Sequence, residues 1–433
     1  MTNLIHTNMK RREFIIGCSA AIAAMAGSRI TGYSFAPDGS PGNILIYVFL
    51  RGGCDGLNLV APVNDPNYIA NRTADVRVTD SGDTEGLSLG NGLAGLDFRL
   101  HKKTSALKEL YDSNALAIIH AAGLTNGTRS HFDAMDLIER GSLQNKTLNE
   151  GWLTRFLKSV PAAPEGNSIA SVAIGTVMPT SFLGSNGTLA ISNLNDYKLR
   201  GDKRYASILQ SLYTGNSLLD EAAQNALTSV AEINNQLPKD VTNTPMPYVP
   251  ENNVKYPESP LAKSLQTLAQ LIKMETGLRV ASVDYGGWDT HEHQQGAFAN
   301  LADGLSTALG AFYNDISHHQ KRVTLLVMSE FGRRLKSNKS NGTDHGHGNV
   351  MLVLGGEVKG GKMYGTWPGL ENEQLDNHVD LAVTTDYRHV LSEILLKRMA
   401  NPKLGYIFPG YKDYKPLNFL NGNALQIDYN NAK

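Results

Sequence analysis

Ile44-Leu45-Ile46-Tyr47-Val48-Phe49-Leu50 is an unbroken apolar, β-branched and aromatic run that stops at Arg51-Gly52-Gly53-Cys54-Asp55-Gly56. A run of this length without a polar face reads as a strand buried on both sides, which belongs in a parallel sheet covered by helices. The glycines after it read as a tight turn. Similar runs recur at Ala115 to His120, Ile169 to Ile174, Val280 to Asp284, Val323 to Met328 and Val350 to Leu354. Helical patterns lie between them, over Thr104 to Tyr111, His131 to Arg140, Leu261 to Thr276, Gly296 to Ser317 and Tyr387 to Met399. The alternation predicts an α/β fold with a doubly wound, mainly parallel sheet and helices on both faces.

Composition narrows the function classes. With 40 Lys+Arg against 41 Asp+Glu, the net charge of −1 excludes a strongly basic nucleic-acid binder. Gly52 to Gly56 lacks the spacing of a phosphate-binding fingerprint, so no nucleotide or nucleic-acid partner is expected. No apolar run approaches the roughly 18 residues of a membrane-spanning helix. Residues 236–260 are rich in proline and asparagine and read as a surface linker. Because the motifs on either side of it point to one site, residues 37–433 are expected to form one domain. The Gly-, Pro-, Tyr- and Asn-rich segment after Asn401 is expected to wrap the surface.

The N-terminus carries Lys10-Arg11-Arg12-Glu13-Phe14-Ile15-Ile16 ahead of a small, apolar stretch from Gly17 to Gly27. Charge before a short apolar region has the form of a secretory signal. The arginine pair resembles the address read by the twin-arginine translocase. Ser34-Phe35-Ala36 offers small residues for cleavage, so residues 1–36 are expected to be a signal peptide and the mature chain periplasmic or secreted. Removal of Cys18 leaves Cys54 as the sole thiol, and no intramolecular disulfide can form.

Chemistry-bearing residues follow the strands. Asp55 follows the first; Thr125 to Asp133, containing Arg129, Ser130 and His131, follows the second; Asp289-x-His291-x-His293 and Ser329-Glu330 follow two more. Ligands bind at the carboxyl edge of open parallel sheets. Asp344-His345-x-His347 enters the next strand. Carboxylates beside imidazoles suit a divalent metal, so Asp55, Asp289, His291, His293, Glu330, Asp344, His345 and His347 are candidate ligands for Zn, Mn, Mg or Ca. His291 could instead orient a ligand. Ser130 reads both as a helix N-cap and as a catalytic hydroxyl, and Arg51, Arg129 and Arg333 as anion clamps or structural ion pairs.

The stretches FLRGGCDGLNLVAP, RSHFDA, GWLTRFL, GGWDTHEHQ, SEFGR, DHGHGN and TTDYRHVLSEIL resemble, in order, a large bacterial family of twin-arginine-exported proteins, domain of unknown function 1501. That resemblance implies an alkaline phosphatase-like and sulfatase-like fold and, in characterised relatives, a divalent metal pair. By the same resemblance Asp55 is similar to a metal-binding aspartate after the first strand, and Asp289 with His293 to an Asp-x-x-x-His ligand pair. Thr128 or Ser130 lies near the nucleophile position. Phe331 stands where relatives have a histidine, leaving His345 or His347 to supply it. Cys54 lacks the sulfatase motif, so formylglycine chemistry is not expected. The expected activity, with Ser130, Arg129 and Arg51 as catalytic candidates, is metal-dependent hydrolysis of a phosphate, sulfate or related ester, small or polymeric. The alternative is a non-catalytic secreted or envelope protein using the fold for binding or assembly.

Overall fold

The computed structural model describes residues 42–431, apart from 91, 161–168, 195–196, 200–202 and 243. The signal-like stretch over residues 1–36 lies outside the described residues.

Among the described residues, nine strands form the central sheet. In chain order they are β1 (Ile44–Leu50), β2 (Leu116–Gly123), β3 (Ser171–Ile174), β4 (Thr188–Ile191), β5 (Val280–Tyr285), β6 (Val323–Ser329), β7 (Asn349–Gly355), β8 (Lys362–Tyr364) and β9 (Thr385–Asp386). Their spatial order is β8-β2-β7-β6-β1-β5-β3-β4, with β9 also pairing with β2. The sheet is mixed and mostly parallel, and β7 is the exception, antiparallel to both β2 and β6.

Every residue of β1 is buried because helices cover both faces. Ile44, Ile46 and Val48 pack with leucines of α1 (Ser105–Asp112), α4 (Pro260–Lys273) and α5 (Gln294–Asp315). Leu45, Tyr47 and Phe49 point the other way, toward α2 (His131–Glu139), α3 (Trp152–Lys158) and α6 (Tyr387–Lys397). That alternation is the period-2 geometry of a strand with two apolar partners.

The direction of β7 has a simple cause. No crossover helix separates it from β6. The intervening chain forms a hairpin, Arg333–Ser337 against Thr343–His345, and returns directly, which only an antiparallel neighbour permits. Asn349 at the start of β7 therefore pairs beside Ala122 at the end of β2. Topology thus delivers the segment before β7 to the edge where β1, β2, β5 and β6 end.

One peripheral expectation changes, that of the C-terminal segment. The proline-rich segment is pinned down by the buried Asp315, which accepts from Tyr248 and Tyr256 hydroxyls at 2.7 and 2.8 Å and from Glu251 N at 2.7 Å. The C-terminal segment enters the core rather than merely wrapping it, since Leu404, Ile407, Phe408, Phe419 and Leu420 are fully buried. Among the described residues no helix is long and apolar enough to cross a membrane.

Candidate metal centre

The turn after β1 is built around positive φ at Gly52 (117°) and Gly53 (66°). A Cβ on Gly53 would lie 2.5 Å from the Phe331 ring. The turn's amides and carbonyls anchor the next layer. Gly52 N donates to Glu330 Oε1 at 2.8 Å, and Cys54 N to Ser329 Oγ at 2.9 Å. The fully buried Arg333 donates to the carbonyls of Gly53 (2.6 Å) and Thr343 (2.8 Å), and to Asp289 Oδ1 at 2.5 Å.

Around Asp289 stand three imidazoles. His131 opens α2, His291 lies in the loop after β5, and His345 ends the hairpin before β7. The His131 and His345 Nε2 atoms are 2.9 Å apart, and those of His291 and His345 are 2.8 Å apart. Asp289 Oδ1 is 3.4, 3.0 and 3.2 Å from the Nε2 atoms of His131, His291 and His345.

The other ring nitrogens fix the tautomers. His131 Nδ1 faces Glu330 Oε1 at 2.7 Å, His291 Nδ1 faces Asp344 Oδ1 at 3.2 Å, and His345 Nδ1 faces the Arg129 carbonyl at 2.9 Å. Carboxylates and carbonyls only accept, so each neutral ring carries its proton on Nδ1. All three Nε2 lone pairs then converge with a carboxylate oxygen. Without a cation that arrangement is repulsive, whereas oriented imidazoles backed by carboxylates are how proteins prepare metal ligands. Tetrahedral zinc with bonds near 2.05 Å places its ligand atoms about 3.3 Å apart, close to these separations. The donor set fits a single divalent ion, with ligating atoms of His131, Asp289 and His345 all within 4.8 Å of one another and His291 alongside.

The electrostatics agree with that division of labour. Burial works against the charged form of Asp289, but the Arg333 hydrogen bond and charge outweigh it and hold the pKa near 2. Burial likewise opposes the Glu330 charge, and His131 with nearby backbone amides more than compensates, lowering its pKa. The Glu330 hydrogen bond raises His131. Burial, then the neighbouring His131 and Arg333 charges, lower His345.

Asp289, His291 and His345 are brought together, with Glu330 and Asp344 behind them as orienting acceptors. Three other candidate ligands sit elsewhere. Asp55 is fully buried, taking two bonds from Arg72 at 2.5 and 2.9 Å and one from Gln294 at 2.7 Å. His293 adopts a left-handed φ of 46° at the entrance to α5, with an exposed side chain. His347 Nε2 donates to the Leu124 carbonyl at 2.9 Å; its Nδ1 is 3.1 Å from Asp376 without hydrogen-bond alignment. None of these three belongs to the group of His131, Asp289 and His345, whose ligating atoms lie within 4.8 Å of one another.

The catalytic candidates also resolve into specific roles. Ser130 is exposed and caps α2, accepting from Asp133 N at 3.4 Å. The Arg129 guanidinium is held by Asp376 and Asp380 while its carbonyl orients His345. Arg51 makes two 3.0 Å bonds to Glu139 and one ion pair of 3.0 Å to Asp284. All three therefore have structural partners. His131 was not among the expected ligands; its signal was a histidine directly behind a capping serine at a strand's carboxyl edge. Phe331 packs on it and on His345, with ring centroids 4.8 and 5.0 Å away.

Residues 117–396 match the family described as "Protein of unknown function (DUF1501)". No curated protein matches the sequence. Similar solved structures include the C-terminal periplasmic domain of EcEptC from Escherichia coli in complex with Zn, at 7% identity and TM-score 0.35, covering 75% of this chain and 76% of that one. A protein in the alkaline phosphatase superfamily from Vibrio parahaemolyticus is similar at 12% identity and TM-score 0.32, covering 80% and 69%. The PsFucS1 sulfatase from Pseudoalteromonas sp. is similar at 10% identity and TM-score 0.33, covering 82% and 68%.

Proposed function

The chain belongs to the DUF1501 family, and from that premise we propose that it is an exported, metal-dependent hydrolase of a phosphate, sulfate or related ester. The observation that carries this reading is the convergence of three Nε2 lone pairs and Asp289 Oδ1, each imidazole already committed through Nδ1. Ligands rich in imidazole suit zinc better than magnesium or calcium, which prefer oxygen.

Each residue has a stated task. His131, His291, His345 and Asp289 hold the cation. Glu330, Asp344 and the Arg129 carbonyl fix the ring orientations, and Arg333 fixes Asp289. The chemistry such a cation supplies is Lewis acidity at an ester oxygen and an easier ionisation of water. Residues 1–36 serve as the twin-arginine signal, leaving residues 37–433 as the mature domain.

Elemental analysis of protein purified without chelator tests the reading. One equivalent of a divalent metal is expected, lost in His345→Ala, with ester hydrolysis abolished by chelation and restored by metal. Absence of stoichiometric metal after incubation with Zn²⁺, Mn²⁺, Mg²⁺ or Ca²⁺ would leave the binding or assembly role instead. Replacing Arg11 and Arg12 by lysine should leave an uncleaved precursor in the cytoplasm; normal yields of mature protein outside it would refute twin-arginine export.

A further inference from the structure

Asp289 and His291 stand on the loop after β5, whereas Asp344 and His345 stand on the returning strand of the hairpin. Three spacings cross that divide: His291 to His345 at 2.8 Å, Asp289 to His345 at 3.2 Å and His291 to Asp344 at 3.2 Å. The geometry offered to a cation therefore depends on how firmly loop and hairpin are held together. Two direct ties are Thr343 N, donating to the Thr290 carbonyl at 3.3 Å, and Asn338 Nδ2, donating to the His291 carbonyl at 2.9 Å. A further tie runs through one side chain.

Gln294 opens α5 and is fully buried. Its Nε2 donates to Asp55 Oδ2 at 2.7 Å, and its Oε1 accepts from the hydroxyls of Thr343 at 2.6 Å and Thr290 at 3.2 Å. The Asp55 carboxylate only accepts, which dictates the orientation of the amide and leaves Oε1 to the two hydroxyls. Thr290 lies between Asp289 and His291, and Thr343 immediately precedes Asp344 and His345. One amide oxygen thus clips the two ligand-bearing segments to each other.

The clip has a fixed backing. Asp55 is gripped by both terminal nitrogens of Arg72, which also donates to the carbonyls of Leu335 at 2.9 Å and Arg334 at 3.1 Å. The bonds run from the outgoing strand of the hairpin through Arg72, Asp55 and Gln294, and close on the returning strand at Thr343. Asp55, Arg72, Gln294, Thr290 and Thr343 are all buried. Leucine at position 294 would leave two buried hydroxyls without an acceptor, and glutamate would set two carboxylates against each other.

Resting on the metal centre proposed above, we infer that Gln294 is its positioning residue. It touches none of the ligands, yet it sets the spacing between the Asp289–His291 loop and the Asp344–His345 strand. Asp55 acts through it, by fixing which end of the amide meets the threonines.

The test is chelator competition for Zn²⁺ on the full chain, together with the visible absorption of the Co²⁺-loaded protein, which reads ligand geometry. Gln294→Leu should bind zinc about tenfold more weakly at an unchanged one equivalent, the low end for lost orienting partners, and its cobalt bands should shift. Thr343→Val should weaken zinc in the same direction, and Thr343→Ser, which keeps the hydroxyl, should restore it. In the double variant of Gln294→Leu with Thr343→Val the losses should not add, because both remove the same bond. Stability is controlled at the far end of α5, roughly 30 Å away. There Tyr256→Phe removes a 2.8 Å bond to Asp315 and should lower the melting temperature without moving zinc affinity or the cobalt bands. Wild-type affinity and bands in Gln294→Leu, or an equal loss of affinity in Tyr256→Phe, would overturn this inference and leave the metal centre standing. Should Gln294→Leu fail to fold, equal zinc affinity in Thr343→Val and Thr343→Ser overturns it instead. Wild-type protein that takes up neither Zn²⁺ nor Co²⁺ would overturn both.

Discussion

His131 and His345 confront each other Nε2 to Nε2 at 2.9 Å while both Nδ1 atoms are already donating, one to Glu330 and the other to the Arg129 carbonyl. Two imidazole lone pairs held at that distance are reconciled by a shared cation or by a proton on one ring.

In the proposed centre a proton on His131 and the metal would exclude each other. Glu330 raises the His131 pKa above its ordinary value near 6.5. In metal-free protein the protonated ring contributes stability that is full below the unfolded-state pKa and lost as pH rises through the raised folded value. Zinc affinity should run the opposite way, falling as pH drops through that folded value. Thermal unfolding of metal-free protein and chelator competition across pH 5 to 9, both ranges about the ordinary histidine pKa, should show opposite slopes.

Glu330→Gln removes the carboxylate that fixes His131 but none of the ligands. Zinc affinity should fall by about 10–100-fold, the range for lost orienting partners, while stoichiometry at saturating zinc stays at one. Competition with a calibrated chelator measures it. An unchanged affinity would detach Glu330 from the centre.

Asp55→Asn separates the ligand role expected of this carboxylate from the buried ion pair it makes with Arg72. Leaving Arg72 buried without its charge partner should cost about 3–5 kcal/mol in denaturant unfolding. Zinc bound per folded molecule should not change. Loss of zinc from a fully folded variant would reinstate Asp55 as a ligand.

Gly53→Ala places a methyl 2.5 Å from the Phe331 ring at a φ of 66°. Backbone strain alone should cost about 1–3 kcal/mol. Phe331 must also shift, and it supports both His131 and His345, so the variant should bind zinc more weakly as well as melt earlier.

The strands were legible where burial on both faces erased any polar pattern, as in β1, β6 and the core of β7. The direction of β7 was not, because it depends on the intervening hairpin, and Arg333-Arg334-Leu335-Lys336-Ser337 carries too much charge to read as a strand. Short strands such as Lys362–Tyr364 and Thr385–Asp386 have no period to detect. At the centre, Asp289, His291 and His345 were marked by their clustering. His291 and His293 are equivalent by spacing, and a left-handed residue at His293 decides between them. Ser130 was legible as a cap, and because it is one, His131 becomes the first helical residue and faces Glu330.

His131 and His345 lie 214 positions apart in the chain, and the chain between them runs out to β3 and β4 at one edge of the sheet before it returns through β5 and β6. Their meeting requires β2, β5, β6 and β7 to be in register first, which places it among the slow, non-local events of folding. In the proposed centre, cation uptake would report completion of the topology, and cation release and collapse of the sheet should coincide as one transition on heating.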